Sequence, residues 1–293
     1  MRMDSARHKG GQRCFFGHLC SEKGHQFRKQ RKGGKQTMKT KTIFGTKEWA
    51  GRNENLIKGC SHDCKYCYAK AMNIQHKHNT KDDWKNEIVN QNKLNKGFRK
   101  YDGKIMFPSS HDITPEHLNE CMTFLYHILE AGNEVLIVTK THLNCIKAIC
   151  DYFNGYKSQI LFRFTIGSSD SNVLIFWEPN APDFEERLES LKYAFNNGFQ
   201  TSVSCEPMLD DKIDDVINKV FPYVTETIWI GKPNKLKERL SMNGFKNDQV
   251  TQNEAHRLFQ LFSDEYILSL FNQYKSNSKI MWKDSIKKVL KII

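Results

Sequence analysis

Three cysteines crowd into one short stretch of this sequence, N-L-I-K-G-C-S-H-D-C-K-Y-C-Y at 55–68, where Cys60, Cys64 and Cys67 are spaced C-x3-C-x2-C. Thiolates at such spacings can converge from one loop on a single soft-metal centre. An iron–sulfur cubane usually takes four cysteines, so three local ones leave an iron open to a cofactor or substrate ligand. The competing chemistry is structural zinc, which closes with four ligands. His62 lies inside the loop, but crowding makes it an awkward fourth ligand, and no second C-x2-C knuckle follows downstream. The chain holds nine cysteines. Their odd number and their crowding suit a metal site better than a disulfide framework.

The rest of the chain must position that loop. Its 293 residues can bury a core in one large domain, or in one domain with an appendage. It has no apolar run long enough to span a bilayer and no signal-peptide centre, so a cytoplasmic protein without membrane contact is expected. The net charge is +12, but residues 1–37 carry ten Lys and Arg against Asp4 and Glu22, leaving +4 for the remainder. Residues 1–37 are read as a solvated, disordered basic leader able to touch phosphate non-specifically. The character changes at Met38, a candidate for the true start.

From Met38 onward short apolar runs alternate with helical patterns, as β/α units around a parallel sheet do. Strands are expected at 56–58, 104–107, 134–139, 160–166, 201–205 and 227–230. One helix has Thr114 as N-cap, Pro115 at its first position and Gly132 beyond its end. Another opens with Asp183 and Glu186 at capping-box spacing and stops at Gly198. The polar stretch 73–100 reads as a helix and loop inserted before the second strand. Six repeats predict an α/β fold, a partial (β/α)6 barrel of TIM type over 38–234, too few for a closed barrel of eight. A helix at 253–274, the run 280–282 and a Lys-rich helix are expected to form a C-terminal cap within 235–293.

The C-x3-C-x-aromatic-C loop, with Tyr66 as the aromatic, followed by β/α repeats, resembles the radical S-adenosylmethionine (radical SAM) superfamily. Within it the chain resembles spore photoproduct lyase and the DNA repair photolyase-like proteins. The blocks that carry this are the cysteine loop, S-S-H-D-I-T-P-E-H-L at 109–118, I-V-T-K at 137–140, F-R-F-T-I-G-S at 162–168 and W-E-P-x-A-P-x-F-x-x-R-L at 177–188. The resemblance implies that Cys60, Cys64 and Cys67 hold a [4Fe–4S] cluster whose open iron takes the amino and carboxylate groups of S-adenosylmethionine (AdoMet). One electron, from a donor such as flavodoxin or ferredoxin, then yields a 5′-deoxyadenosyl radical, chemistry that belongs to the cofactor. It also implies that Ser109 and Ser110 meet the methionyl amine, Lys140 the carboxylate and Thr165 the ribose, while Tyr66 shields the cluster or packs near adenine. The plainer alternative for each polar group is a strand end that is solvated or caps a helix.

Arg163 shares its side of the strand with Thr165. If that side is the barrel interior, Arg163 needs a carboxylate, and Glu206 and Glu178 are the candidates. Glu206 is also counted among the cofactor-facing residues. Trp177 and Trp229 are expected to be packing residues. Spore photoproduct lyases return a hydrogen atom from a cysteine just beyond the second strand. Here that stretch is F-P-S-S-H-D, with no thiol. Cys205, at a strand end beside Glu206, is the candidate replacement, while Cys121, Cys145 and Cys150 are expected in the core. The expected activity is radical formation from AdoMet and hydrogen abstraction, with a DNA lesion or nucleic-acid base as substrate by family analogy. A radical enzyme for a small molecule or peptide, and a non-enzymatic, metal-stabilised nucleic-acid-binding protein, are the alternatives.

Overall fold

Strands buried on both faces are written as near-continuous apolar runs, and the V-L-I-V-T and I-L-F-R-F-T segments are of this kind. In the computed structural model, which describes residues 45–140 and 142–292, these segments lie in the middle of a seven-stranded parallel sheet. The first strand is β1 (Arg52–Asn53). An antiparallel ribbon of β2 (Ile57–Lys58) and β3 (Ile88–Val89) follows and stands apart from the sheet. The sheet continues with β4 (Ile105–Met106), β5 (Val135–Thr139), β6 (Ile160–Thr165), β7 (Gln200–Cys205), β8 (Ile228–Ile230) and β9 (Ile280–Trp282), each beside its predecessor. Such an order is that of a partial barrel.

The connecting helices are α1 (Tyr68–Gln75), α2 (Gln91–Leu94), α3 (Leu118–Glu130), α4 (Leu143–Tyr152), α5 (Ser171–Trp177), α6 (Phe184–Asn196) and α7 (Ile213–Val220). The C-terminal part adds α8 (Leu236–Met242), α9 (Gln249–Leu261), α10 (Asp264–Tyr274) and α11 (Asp284–Leu290). Alternation sorts each strand into two faces. Val135, Ile137, Phe162, Phe164, Val203, Cys205 and Ile228 join helix residues such as Leu125, Ile146 and Leu191 in the main apolar core. Each fully buried Phe, Leu or Ile there stabilises the fold by about 1.5–3 kcal/mol. The opposite, luminal face starts with Ala50, Met106, Leu136 and Leu161 and turns polar toward the strand ends.

Three expectations change. The run at 56–58 is not the first sheet strand. Residues 57–58 pair with 88–89, and the shorter, more polar Arg52–Asn53 pairs with β4 instead. The run at 280–282 is not cap but the seventh strand, parallel to β8, so the expected boundary at 234/235 leaves one sheet strand on the wrong side. The helix expected at 253–274 is two helices, because Ser263 breaks it and caps α10 by accepting from Tyr266 N–H at 3.3 Å.

Helix ends follow their signals more closely. Asp183 caps α6 through Glu186 N–H at 2.9 Å, although the Glu186 side chain turns to Leu143 N–H rather than back to the cap. Thr114 gives no side-chain cap; its hydroxyl goes to Glu87 at 2.7 Å, and a 3-10 turn leads into α3. No helix among the described residues is long and apolar enough to cross a membrane. The expected leader and the candidate start at Met38 lie outside the described residues.

Candidate cluster and cofactor site

Gly59 makes the turn into the cysteine loop. Its φ is +96°, a left-handed value that glycine adopts without strain, and a Cβ there would run into the backbone oxygens of Trp84 and Asn86. The loop is then clamped from three parts of the chain. Cys60 N–H donates to Trp84 O at 2.9 Å and Ser61 N–H to Glu87 at 2.8 Å. Lys65 N–H donates to Trp177 O at 2.9 Å, and Asn180 donates to Ser61 O at 2.9 Å. From beyond α8, Asn243 donates to both Lys65 O (2.9 Å) and Cys67 O (3.0 Å).

The three cysteines are free; Cys60 and Cys64 are buried and Cys67 is half-buried. Burial pushes all three thiols up, and for Cys60 the neighbouring Cys64 and Cys67 add to the rise. Backbone N–H groups oppose it: His62 N–H is aimed at Cys60, and those of Lys70 and Ala69 at Cys67. Cys67 also caps α1, taking Lys70 N–H at 3.4 Å. A helix N-terminus and amide donors favour thiolate, the form that binds metal. This donor set fits an iron–sulfur cluster. Among the described residues no three His, Cys, Asp or Glu side chains are gathered tightly enough for a single ion; a cubane spreads its thiolates over separate irons. His62 is buried and turns Nδ1 toward Asp112 at 3.4 Å, not toward the sulfurs.

Asp112 ties this loop to the sheet. Its carboxylate accepts from Ile113 N–H (2.8 Å), from the Thr139 hydroxyl and from Lys140 N–H (2.8 Å). Burial alone would raise its pKa, but His62, Thr139 and the Lys140 amide hold it well below the usual value.

Lys140 therefore leaves the end of β5 in a fixed direction, with Nζ 3.9 Å from Glu178 and 5.9 Å from the Tyr66 ring centre. Burial opposes its charge, yet Cys64, Glu178 and Asp112 outweigh it and raise the pKa. It is 18% exposed at the side chain and can still meet an anion.

Thr165 ends β6 on the luminal face, opposite Ser204 of β7. Ser109 and Ser110 sit in the loop after β4, held by Asn55, which accepts both their N–H groups at 2.8 Å and donates to the Ser109 hydroxyl at 2.9 Å. The Tyr68 hydroxyl donates to Ser109 O. A cavity of about 180 Å³ opens beside Ser110, lined also by Asn55, Gly59 and Trp84. Glu206 follows β7 in the luminal alternation, with Lys283 3.7 Å away. Burial raises its pKa more than Lys283 lowers it. The cysteine loop after β2 and the ends of β4 to β7 thus carry Tyr66, Ser109, Ser110, Lys140, Thr165 and Glu206.

Three of the expected roles move. Cys205 faces the helices: it is fully buried in the main core, and burial pushes its thiol up. Strand alternation puts Ser204 and Glu206, not Cys205, on the luminal side. Arg163 is luminal but has neither expected carboxylate. Its Nε donates to Ser202 at 3.0 Å, and its guanidinium lies 4.6 Å from the Trp49 ring and 5.5 Å from Trp229. Burial brings its pKa down to about 10. Glu178 belongs instead to Arg187, at 2.6 Å in a fully buried pair, and accepts the Tyr66 hydroxyl. Trp177 is core, as expected, and so are Cys121, Cys145 and Cys150. No local signal marks Asn243, because its role needs a contact 176 positions away. Asp112 lies in the S-S-H-D-I-T-P-E-H-L stretch, where an acid shortly after a strand end was the available signal.

No family model matches the chain. Among curated proteins it is 26% identical over 223 residues to an uncharacterized protein of Methanocaldococcus jannaschii, covering 73% of this chain and 83% of that one. It is 24% identical over 210 residues to an uncharacterized protein of Acidianus two-tailed virus, covering 67% and 69%. Among solved structures it superposes on a spore photoproduct lyase variant with bound AdoMet and dinucleoside spore photoproduct. The TM-score is 0.52 at 14% identity, over 72% of this chain. The match spans 65% of the lyase chain, a little less than two thirds of its length. The chain thus has the partial-barrel fold of the radical SAM enzymes, in the form that spore photoproduct lyase takes.

Proposed function

We propose that this chain is a radical SAM enzyme in which Cys60, Cys64 and Cys67 hold a [4Fe–4S] cluster and the barrel mouth holds AdoMet. The observation that carries this is the cysteine loop itself: two buried thiols and a half-buried third, amide donors aimed at two of the three, and a clamp from three parts of the chain. When bound and reduced by one electron, the cluster supplies cleavage of the AdoMet sulfonium to methionine and a 5′-deoxyadenosyl radical, which takes a hydrogen atom from the substrate. The residues around it bind and orient. Lys140 offers a charge for the AdoMet carboxylate, a contact worth about 1.5–3 kcal/mol when hydrogen-bonded. Ser109 and Ser110 face the amine, Thr165 the ribose, and Glu206 lines the same mouth. Tyr66, fixed by Glu178 and Arg187, walls the loop from water.

The substrate we assign is a DNA lesion or nucleic-acid base, on the analogy of the lyase fold. Its fate differs from the lyase route, because residues 107–112 carry no thiol and Cys205 faces the helices. Anaerobic protein reconstituted with iron and sulfide, then reduced with AdoMet, is expected to form 5′-deoxyadenosine. Unchanged formation in a Cys64→Ala variant defeats the proposal.

A further inference from the structure

The C-terminal part of the chain brings a second cation to the mouth. Arg239 lies in the middle of α8. One helical turn on, Asn243 locks that helix to the cysteine loop through Lys65 O and Cys67 O, and residues four apart share a face. Arg239 therefore faces the loop. Its guanidinium lies over the Tyr68 ring, 5.9 Å from the centre, and makes no hydrogen bond or ion pair with any described residue. Burial lowers its pKa, while Cys67, Glu206 and the two tyrosines draw it back. No carboxylate of the described residues comes within ion-pair distance of it.

The arginine is half-buried and its five N–H donors are open to solvent or to a ligand rather than sealed in the core. Its planar fork matches the two oxygens of a carboxylate or phosphate better than a lysine would. Lys140 already stands beside Glu178, and Lys283 beside Glu48 and Glu206. Arg239 has no such partner among the described residues.

We propose that Arg239 is the anchor for an oxoanion, phosphate or carboxylate, on the molecule that the radical attacks, holding it across the mouth between Tyr68 and Glu206. This rests on the radical SAM reading above and adds the chemistry by which the substrate is held. Arg239 positions the substrate; it does not move a proton or an electron.

The test labels the reconstituted full chain with phenylglyoxal and follows modification of Arg239 by mass spectrometry. Separate arms contain inorganic phosphate, acetate and AdoMet. Protection by phosphate or by acetate is expected, and the stronger of the two names the source of the oxoanion. Modification indifferent to both anions overturns the proposal. So does protection by AdoMet alone, which assigns Arg239 to the cofactor. A second measurement titrates phosphate calorimetrically into Arg239→Lys and Arg239→Gln proteins of unaltered Tm. Affinity is expected to fall at least about tenfold in each, as loss of a charge-assisted, two-pronged contact requires. Wild-type affinity in Arg239→Gln contradicts it. Assaying 5′-deoxyadenosine on the same preparation separates the two claims, since its absence with protection intact removes the radical reading and leaves the anchor.

Discussion

At the scale of single residues the site is governed by buried charges, each held by partners from another part of the chain. Glu178 and Arg187 form one such pair. Removing Glu178 leaves Arg187 buried without its carboxylate, a change that costs about 3–5 kcal/mol, whereas removing Arg187 still leaves Glu178 the Tyr66 hydroxyl and Lys140 at 3.9 Å. Asp112 is the pH-sensitive member. Its folded pKa lies well below the ordinary 3.8 because His62, Thr139 and Lys140 N–H outweigh burial. A depressed carboxylate contributes stability that is present above the unfolded pKa and lost as pH falls through the folded one. Urea unfolding followed from pH 7 to pH 2 is expected to show a steep acid limb below about pH 4. That limb flattens in Asp112→Asn, which is also less stable at pH 7. An identical acid limb in the variant removes Asp112 from the account. The spacing of the cysteines and the strand-end positions of Lys140 and Thr165 were legible in the sequence because they are local facts. The error at Cys205 was one of facing. A strand end puts alternate residues on opposite sides, and the run T-S-V-S-C does not say which side is the lumen until the helices are packed.

At the scale of elements, the cysteine loop depends on segments that sequence distance hides. β2 and β3 bring Trp84 and Glu87 to it, α5 brings Trp177, and α8 brings Asn243. The β5, β6 and β7 strands were legible as apolar runs, and α6 from its Asp183 cap. β1 was not, because two residues of type Arg-Asn carry no apolar signal and become a strand only by pairing with β4. Asn243→Ala removes two hydrogen bonds between α8 and the loop, about 1–3 kcal/mol together. The expected outcome is lower stability by that amount in urea and faster loss of iron in air, with the helix content by circular dichroism unchanged. Wild-type iron retention in the variant shows that α8 does not secure the loop.

At the scale of the whole molecule, a partial barrel has two sheet edges, β1 and β9, and unpaired edges are a liability. Residues 45–50 run between them. Gly45 N–H donates to Asp284 at 3.2 Å, and Glu48 takes both Lys283 (2.5 Å) and Lys287 (2.8 Å). Trp49 meets Trp229 edge-on at 5.7 Å on the luminal side. The sequence placed 280–282 outside the barrel because β/α regularity fades after Asn234. The strand's apolar run is only three residues long, and its identity comes from β8. Lys283→Met leaves Glu48 with one partner and is expected to cost about 3 kcal/mol. Adding Glu48→Gln recovers part of that loss. A shift below about 1 kcal/mol for the single variant, the size of an exposed pair, means this seam does not hold the barrel together.

The central claim is a cluster with an iron left open by a three-cysteine loop. Electron paramagnetic resonance of the anaerobically reconstituted, reduced protein tests it most directly. The account predicts iron and sulfide without zinc, a reduced-cluster signal that shifts when AdoMet is added, and loss of that signal in Cys60→Ala, Cys64→Ala and Cys67→Ala. Zinc without sulfide, or a cluster signal indifferent to AdoMet, contradicts it.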